Sequence, residues 1–210
     1  SEPWSIPDVA SLPDIAVSFQ TEHNGVDEDG NPIYLPYLRD DDTLARPWAI
    51  PGTPGLMHRV GGLEKADKTG NVTYTPENHQ LMGDLRQAKI DRIADDYPVL
   101  DIVGDEDADI CLLGWGSTWA AIHAAVERQR RAGHKVAWIH LEHLNPLPND
   151  LGDKLRRFDK VLVPELNKGQ LCQLVRGKYL VDAQSISKVA GLPFRTRELE
   201  DAIEAARSAT

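Results

Sequence analysis

From residue 108 onward, short apolar runs alternate with helical periodicity four times, and few folds satisfy that order. ADICLLG (108–114), HKVAWIHL (134–141), DKVLVPE (159–165) and YLVDAQSI (179–186) read as strands. STWAAIHAAVERQRRAG (117–133), NDLGDKLRRF (149–158), NKGQLCQLVRGK (167–178) and TRELEDAIEAARSA (196–209) read as helices. Near-continuous Val/Ile/Leu runs separated by helices require a parallel sheet covered on both faces. The expected fold class is α/β, with a three-layer parallel-sheet domain over 101–210. Within it, Ser117 is the expected cap of the first helix and Thr196 that of the last, with Glu198 and Glu200 favouring the terminal dipole.

The preceding stretch is of another kind. Eight of the fourteen prolines fall before residue 75, so long helices are excluded there. Yet the stretch keeps Trp4, Ile6, Leu12, Ile15, Phe19, Tyr34, Tyr37, Leu38, Trp48 and Ile50, which a disordered linker rarely carries. It reads as an extended arm that packs against something outside this chain. One helix follows, in TPENHQLMGDLRQAKIDRIADDY, with Thr75 as cap, Pro76 at its first position, and Pro98 closing the segment. Leu81, Met82, Leu85, Ala88, Ile90 and Ile93 form its expected apolar face.

Charge and cysteine usage narrow the partners. Lys and Arg total 23 against 33 Asp and Glu, a formal charge of −10, which disfavours nucleic acid and anionic lipid. No run approaches the ~20 apolar residues of a membrane span, and no secretory leader pattern is present. Cys111 and Cys172 lie in apolar segments, as small buried hydrophobes do. A cytoplasmic protein is expected. The first residue is Ser rather than Met, which suggests a piece of a longer polypeptide.

Three constellations could carry chemistry. Gly114-Trp115-Gly116 opens a dinucleotide fingerprint, with Glu142 where a ribose-binding acid would stand; Trp119 occupies the third glycine position. The alternative is a plain strand-to-helix turn capped by Ser117 with packed tryptophans. In HLEH, strand alternation lets His140 and Glu142 share a face and turns His143 away, too few ligands for a metal. PGTPGLMHRVGGLEK (51–65) offers His58, Arg59 and Glu64 on flexible backbone, either to an anionic ligand or to solvent. Arg39 and Arg46 are expected to pair with Asp40, Asp41 or Asp42. No Walker A pattern, CxxC pair, nucleophile elbow or GDG thiamine signature occurs.

PYLRDDDTLARPWAIPGTPGLMHRVGGLEK, NHQLMGDLRQAKIDRIA, LLGWGSTWAAI, HLNPLP, VLVPELNKGQL and KVAGLPF occur in order across most of residues 34–195. In these stretches the chain resembles the C-terminal third of the α subunit of 2-oxoacid:ferredoxin oxidoreductases, in the fused γ–α form assigned to 2-oxoglutarate. The resemblance implies oxidative decarboxylation of a 2-oxoacid to acyl-CoA with reduction of ferredoxin. It implies thiamine diphosphate, Mg and a [4Fe-4S] cluster held by the β subunit, with none held by this segment. The implied partners are that β subunit, a second α copy, ferredoxin and CoA. Residues 1–100 would be the tail of the pyrimidine-type domain and its connector, and 101–210 a domain of transketolase C-terminal type serving assembly and active-site shaping. The substrate loop and the glutamate at the cofactor ring would lie before Ser1. No catalytic residue is expected here, and His58 and Arg59 are the candidates facing a substrate or CoA channel. A free-standing dinucleotide-binding or scaffold module is the alternative.

Overall fold

Between Asn24 and Leu35, side-chain hydrogen bonds take the place of a longer sheet. The structure, a computed structural model, describes residues 6–105 and 107–209. By internal contacts they form two units, one over Ile6–Ile93 and one from Ala94 onward. In the first unit, β1 (Gly25–Val26) pairs antiparallel with β2 (Pro32–Ile33). The Asp27 carboxylate closes their turn by accepting from the backbone N–H of Asp29 and Asn31. Asn24 acts as an extra strand residue: its Oδ1 accepts from Leu35 N–H at 2.6 Å and its Nδ2 donates to Leu35 O at 3.1 Å. Such Asx contacts offer the backbone partners that proline-rich sequence otherwise denies it.

The helix α1 (Pro76–Asp91) starts where expected, with Pro76 in its first turn, and a 3-10 turn follows over Arg92–Asp96. It differs from the sequence pattern in two ways. Thr75 has the extended backbone of a cap but its hydroxyl makes no capping bond, meeting Thr73 Oγ1 instead. Of the apolar face only Met82 is buried; Leu81, Ala88, Ile90 and Ile93 are exposed and Leu85 is half-buried. The arm residues of this unit cover only part of the helix, and although Leu56 is buried they keep many of their own apolar groups outside. Ile6, Val9, Ile15, Val17 and Trp48 are all exposed.

The second unit carries the core. Among its described residues β4 (Ile110–Trp115), β5 (Val136–Leu141), β6 (Lys160–Glu165) and β7 (Ala183–Ser187) run parallel. A short edge strand, β3 (Val103–Gly104), adds antiparallel to β5, so the sheet is mixed, in the order β3-β5-β4-β6-β7. The intervening helices are α2 (Trp119–Arg131), α3 (Leu151–Leu155), α4 (Gln170–Tyr179) and α5 (Thr196–Ser208). Strand alternation splits the apolar residues into two cores. Cys111, Leu113, Ile139 and Val163 face α3 and α4 through Leu151, Leu155 and Val175. Ile110, Leu112, Trp138 and Leu162 face α2 and α5 through Ile122, Val126, Leu199 and Ile203. This is the expected three-layer α/β arrangement.

Two boundaries shift. Tyr179 ends α4 and Leu180 takes a left-handed conformation, so β7 begins at Ala183 rather than at Tyr179. Thr196 is the first helical residue of α5; Arg195 holds the cap position, and its N–H donates to the Glu198 carboxylate at 2.7 Å. The Glu198 side chain satisfies that end, as an acid at the third helical position can.

Candidate functional site

At the carboxyl ends of β4 and β5 the chain brings helix and strand into close approach. A Cβ on Gly114 would meet Ile122 Cδ1 at 2.3 Å and Thr118 Oγ1 at 3.1 Å, so helix α2 rests directly on the strand there. Gly116 follows with φ +55, which favours glycine, and opens a 3-10 turn over Gly116–Thr118. Thr118, not Ser117, closes that turn: its hydroxyl accepts from Trp115 N–H at 3.2 Å and donates to Trp115 O at 2.8 Å. Ser117 is exposed, because the extra turn moves the start of α2 past it. The close approach that a dinucleotide fingerprint assigns to its third glycine is thus made at Gly114 here. Trp119 points outward, stacked on His123 at 5.1 Å, rather than packed inside.

A cleft of about 630 Å³ opens beside this turn. Trp119, His123, Trp138 and His140 form one wall, with ring centroids 5.1 to 6.1 Å apart along the series. His143 stacks on Tyr97 at 4.2 Å, and Glu142 and Asp101 add carboxylates. Strand alternation turns His143 away from His140 and Glu142, yet all three line the cleft. Strand β5 ends at Leu141, so the two-residue period no longer governs positions 142 and 143. No group of three His, Cys, Asp or Glu suited to a metal occurs among the described residues. The lining includes two carboxylates and no Lys or Arg, a poor setting for a pyrophosphate. Tyr97, Asp101 and Trp138 carry no sequence signal of a site; Tyr97-Pro98 signals only a helix end.

The 51–65 segment places His58 and Arg59 at the surface. His58 Nδ1 lies 3.0 Å from Leu56 O, and its ring meets Tyr34 edge-on at 5.2 Å. With Tyr34, Arg46 and Trp48, His58 borders a cleft of about 380 Å³; Arg59 is not part of that wall. Tyr34 donates to Pro47 O, and burial raises its phenol above the ordinary value against the opposing charge of Arg46. Glu64 is occupied by His79 at 2.6 Å and Arg86 at 3.5 Å, and the hydrogen bond from His79 holds its carboxyl below the usual range. The pairing expected in RDDDTLAR does not form. Asp40 instead caps its own turn through Thr43, Arg39 donates to Leu44 O, and Arg46 lies over the Tyr37 ring at 4.1 Å. Short-range backbone donors reach the carboxylate before a long guanidinium can. Both cysteines are buried, and burial pushes both thiols up, so they are packing groups.

Residues 108–204 match the pyruvate:ferredoxin oxidoreductase core domain II. The 2-oxoglutarate oxidoreductase subunit KorA of Mycobacterium tuberculosis is 53% identical over 207 residues, which is 98% of this chain and 30% of that protein. The α subunit of 2-oxoacid:ferredoxin oxidoreductase 1 of Aeropyrum pernix is 32% identical over 176 residues, 80% of this chain and 27% of that one. Among solved structures, the 2-oxoglutarate:ferredoxin oxidoreductase of Magnetococcus marinus, with 2-oxoglutarate, coenzyme A and succinyl-CoA bound, superposes with a TM-score of 0.76. It is 31% identical, over 87% of this chain and 32% of that chain. The chain therefore spans about a third of the length of these relatives. On these matches it belongs to the 2-oxoacid:ferredoxin oxidoreductase family, with residues 108–204 as its core domain II.

Proposed function

We propose that this chain is part of the α subunit of a 2-oxoglutarate:ferredoxin oxidoreductase, which decarboxylates the oxoacid, passes the acyl group to CoA and the electrons to ferredoxin. One observation carries the reading: 53% identity to a 2-oxoglutarate oxidoreductase subunit extends over 98% of the chain, through the arm as well as the sheet domain. Residues 1–100 then serve as the tail of a pyrimidine-type domain and its connector, and 101–210 as a domain of transketolase C-terminal type. Their work is assembly with a β subunit and a second α copy, and shaping of the active-site surroundings, in the cytoplasm.

The described residues do not fit a metal or cluster. No three suitable ligands converge, and Cys111 and Cys172 are buried in the sheet core. Thiamine diphosphate, Mg and the [4Fe-4S] cluster are assigned in this reading to the β subunit. His58 and Arg59 remain the residues offered to a substrate or CoA channel, because both are exposed on the arm and His58 borders a cleft that also contains Arg46.

The test is turnover by the full-length polypeptide that carries this chain, combined with its β subunit. We expect ferredoxin reduction that requires both 2-oxoglutarate and CoA, and a raised KM for one of them in Arg59→Ala. Preference for pyruvate would overturn the substrate, and turnover by residues 1–210 alone would overturn the assignment of the chemistry elsewhere.

A further inference from the structure

The chain has a formal charge of −10, yet one cleft of about 400 Å³ in the first unit gathers Arg39, Arg46, Arg86 and Lys89 around Tyr37, Met82 and Ile90. Like charges converge at a cost unless something offsets them. Part of the offset is visible: Arg86 lies 3.5 Å from Glu64, and Asp67 opposes the positive field at Arg39. It is incomplete. The Arg39 Nε is buried and has no hydrogen-bond partner, although its Nη1 donates to Leu44 O at 3.0 Å. Burial, followed by the charges of Arg46 and Arg86, lowers the pKa of this guanidinium from its ordinary value. Half-buried Lys89 forms no ion pair among the described residues.

We propose that this cleft binds the phosphate or diphosphate group of a small molecule. A guanidinium fork matches two oxygens of such an anion, and several cations suit a multiply charged group better than a single carboxylate. The Arg46 guanidinium is held over the Tyr37 ring at 4.1 Å, which limits the freedom it would lose on binding. Met82 and Ile90 give the cleft an apolar side on which the organic part of a phosphate ester can rest.

The test of binding in this cleft needs no turnover, so its failure is separate from a failure of the proposed reaction. Pyrophosphate and ADP are titrated calorimetrically into the full-length polypeptide at low ionic strength. Saturable binding of at least one is expected, weakened about tenfold by Lys89→Gln and again by Arg46→Gln, since each removes a charge-assisted contact. Lys89 is half-buried and holds no ion pair among the described residues, so Lys89→Gln keeps the test open if Arg46→Gln fails to fold. Much tighter binding of ADP than of pyrophosphate identifies a nucleotide as the source, and equal binding a free oxoanion. Absence of saturation with both, binding that neither substitution weakens, or equal affinity for succinate would overturn the proposal.

Discussion

Residues 6–93 and 94–209 put their large apolar side chains to opposite uses. In the second unit Leu112, Leu113, Ile122, Ile139, Leu151 and Ile203 are sealed between a sheet and helices on both its faces. In the first, Trp48 is 67% exposed and Ile15 77%, and the chain is held by Asx turns, backbone bridges and ion pairs around Glu64. A sheet gives alternating side chains two faces to bury. A proline-rich arm buries few, Leu56 among them, so its order rests largely on local hydrogen bonding, whose net contribution per bond is small.

The contrast can be broken most directly by paired truncations compared in urea. Ile139→Ala should cost about 2–5 kcal/mol, because it opens a cavity in a closed core. Trp48→Ala should stay within about 0.5 kcal/mol in this chain, as a change on an exposed surface does. Equal losses would mean that the arm is packed as tightly as the sheet.

A smaller effect is expected from Glu165→Gln. This fully buried carboxylate accepts from Leu171 N–H at 2.9 Å, Cys172 N–H at 3.0 Å and Asn167 Nδ2 at 3.0 Å, filling the N-terminus of α4 with an internal anion. The amide keeps the shape but loses the charge and turns an NH₂ toward a donor, for a loss of about 1.5–3 kcal/mol in the same measurement. No loss here, beside a large one in Ile139→Ala, would show that the second unit depends on packing alone.

The smallest effect sharpens the picture of the first unit. The folded-state pKa of Glu64 is depressed, chiefly by the His79 hydrogen bond and then by Arg86. Its contribution to stability is therefore present above the unfolded carboxylate pKa and is lost as pH falls through the lower folded value. Carbon-detected NMR titration should find the Glu64 midpoint below the ordinary glutamate value, and His79→Ala should move it back up. An unmoved midpoint would remove the pair from the contacts that order the arm.

Order and period made much of the fold legible. Ile110 to Leu113 and Val136 to Ile139 announce buried strands because every position is apolar, and the helices between them come from 3.6-residue spacing. Caps are less legible. Ser117 and Thr196 are reasonable choices by residue type, but a 3-10 turn and a one-residue shift give the role to Thr118 and Glu198. The surface of α1 is legible as amphipathic and misleading as buried, since periodicity shows which residues share a face and not whether anything covers it. Neither the aromatic cleft beside Gly116 nor the cationic cleft on α1 is visible in full. Tyr97 and His143 are separated by 46 positions, and Arg39 and Lys89 by 50, and no local pattern joins them.

The sequence by itself determined the kind of second unit and the irregularity of the first, because apolar period and proline content act within a few residues of themselves. It also held the ordered stretches that placed the chain in its family. Tertiary structure alone decided that Gly114 is where helix meets strand, that three histidines share one cleft, and that four cations converge on an acidic protein. Those are distances between segments far apart in the chain, fixed by how whole faces pack, and side-chain volume and charge become informative only once the packing has brought them together.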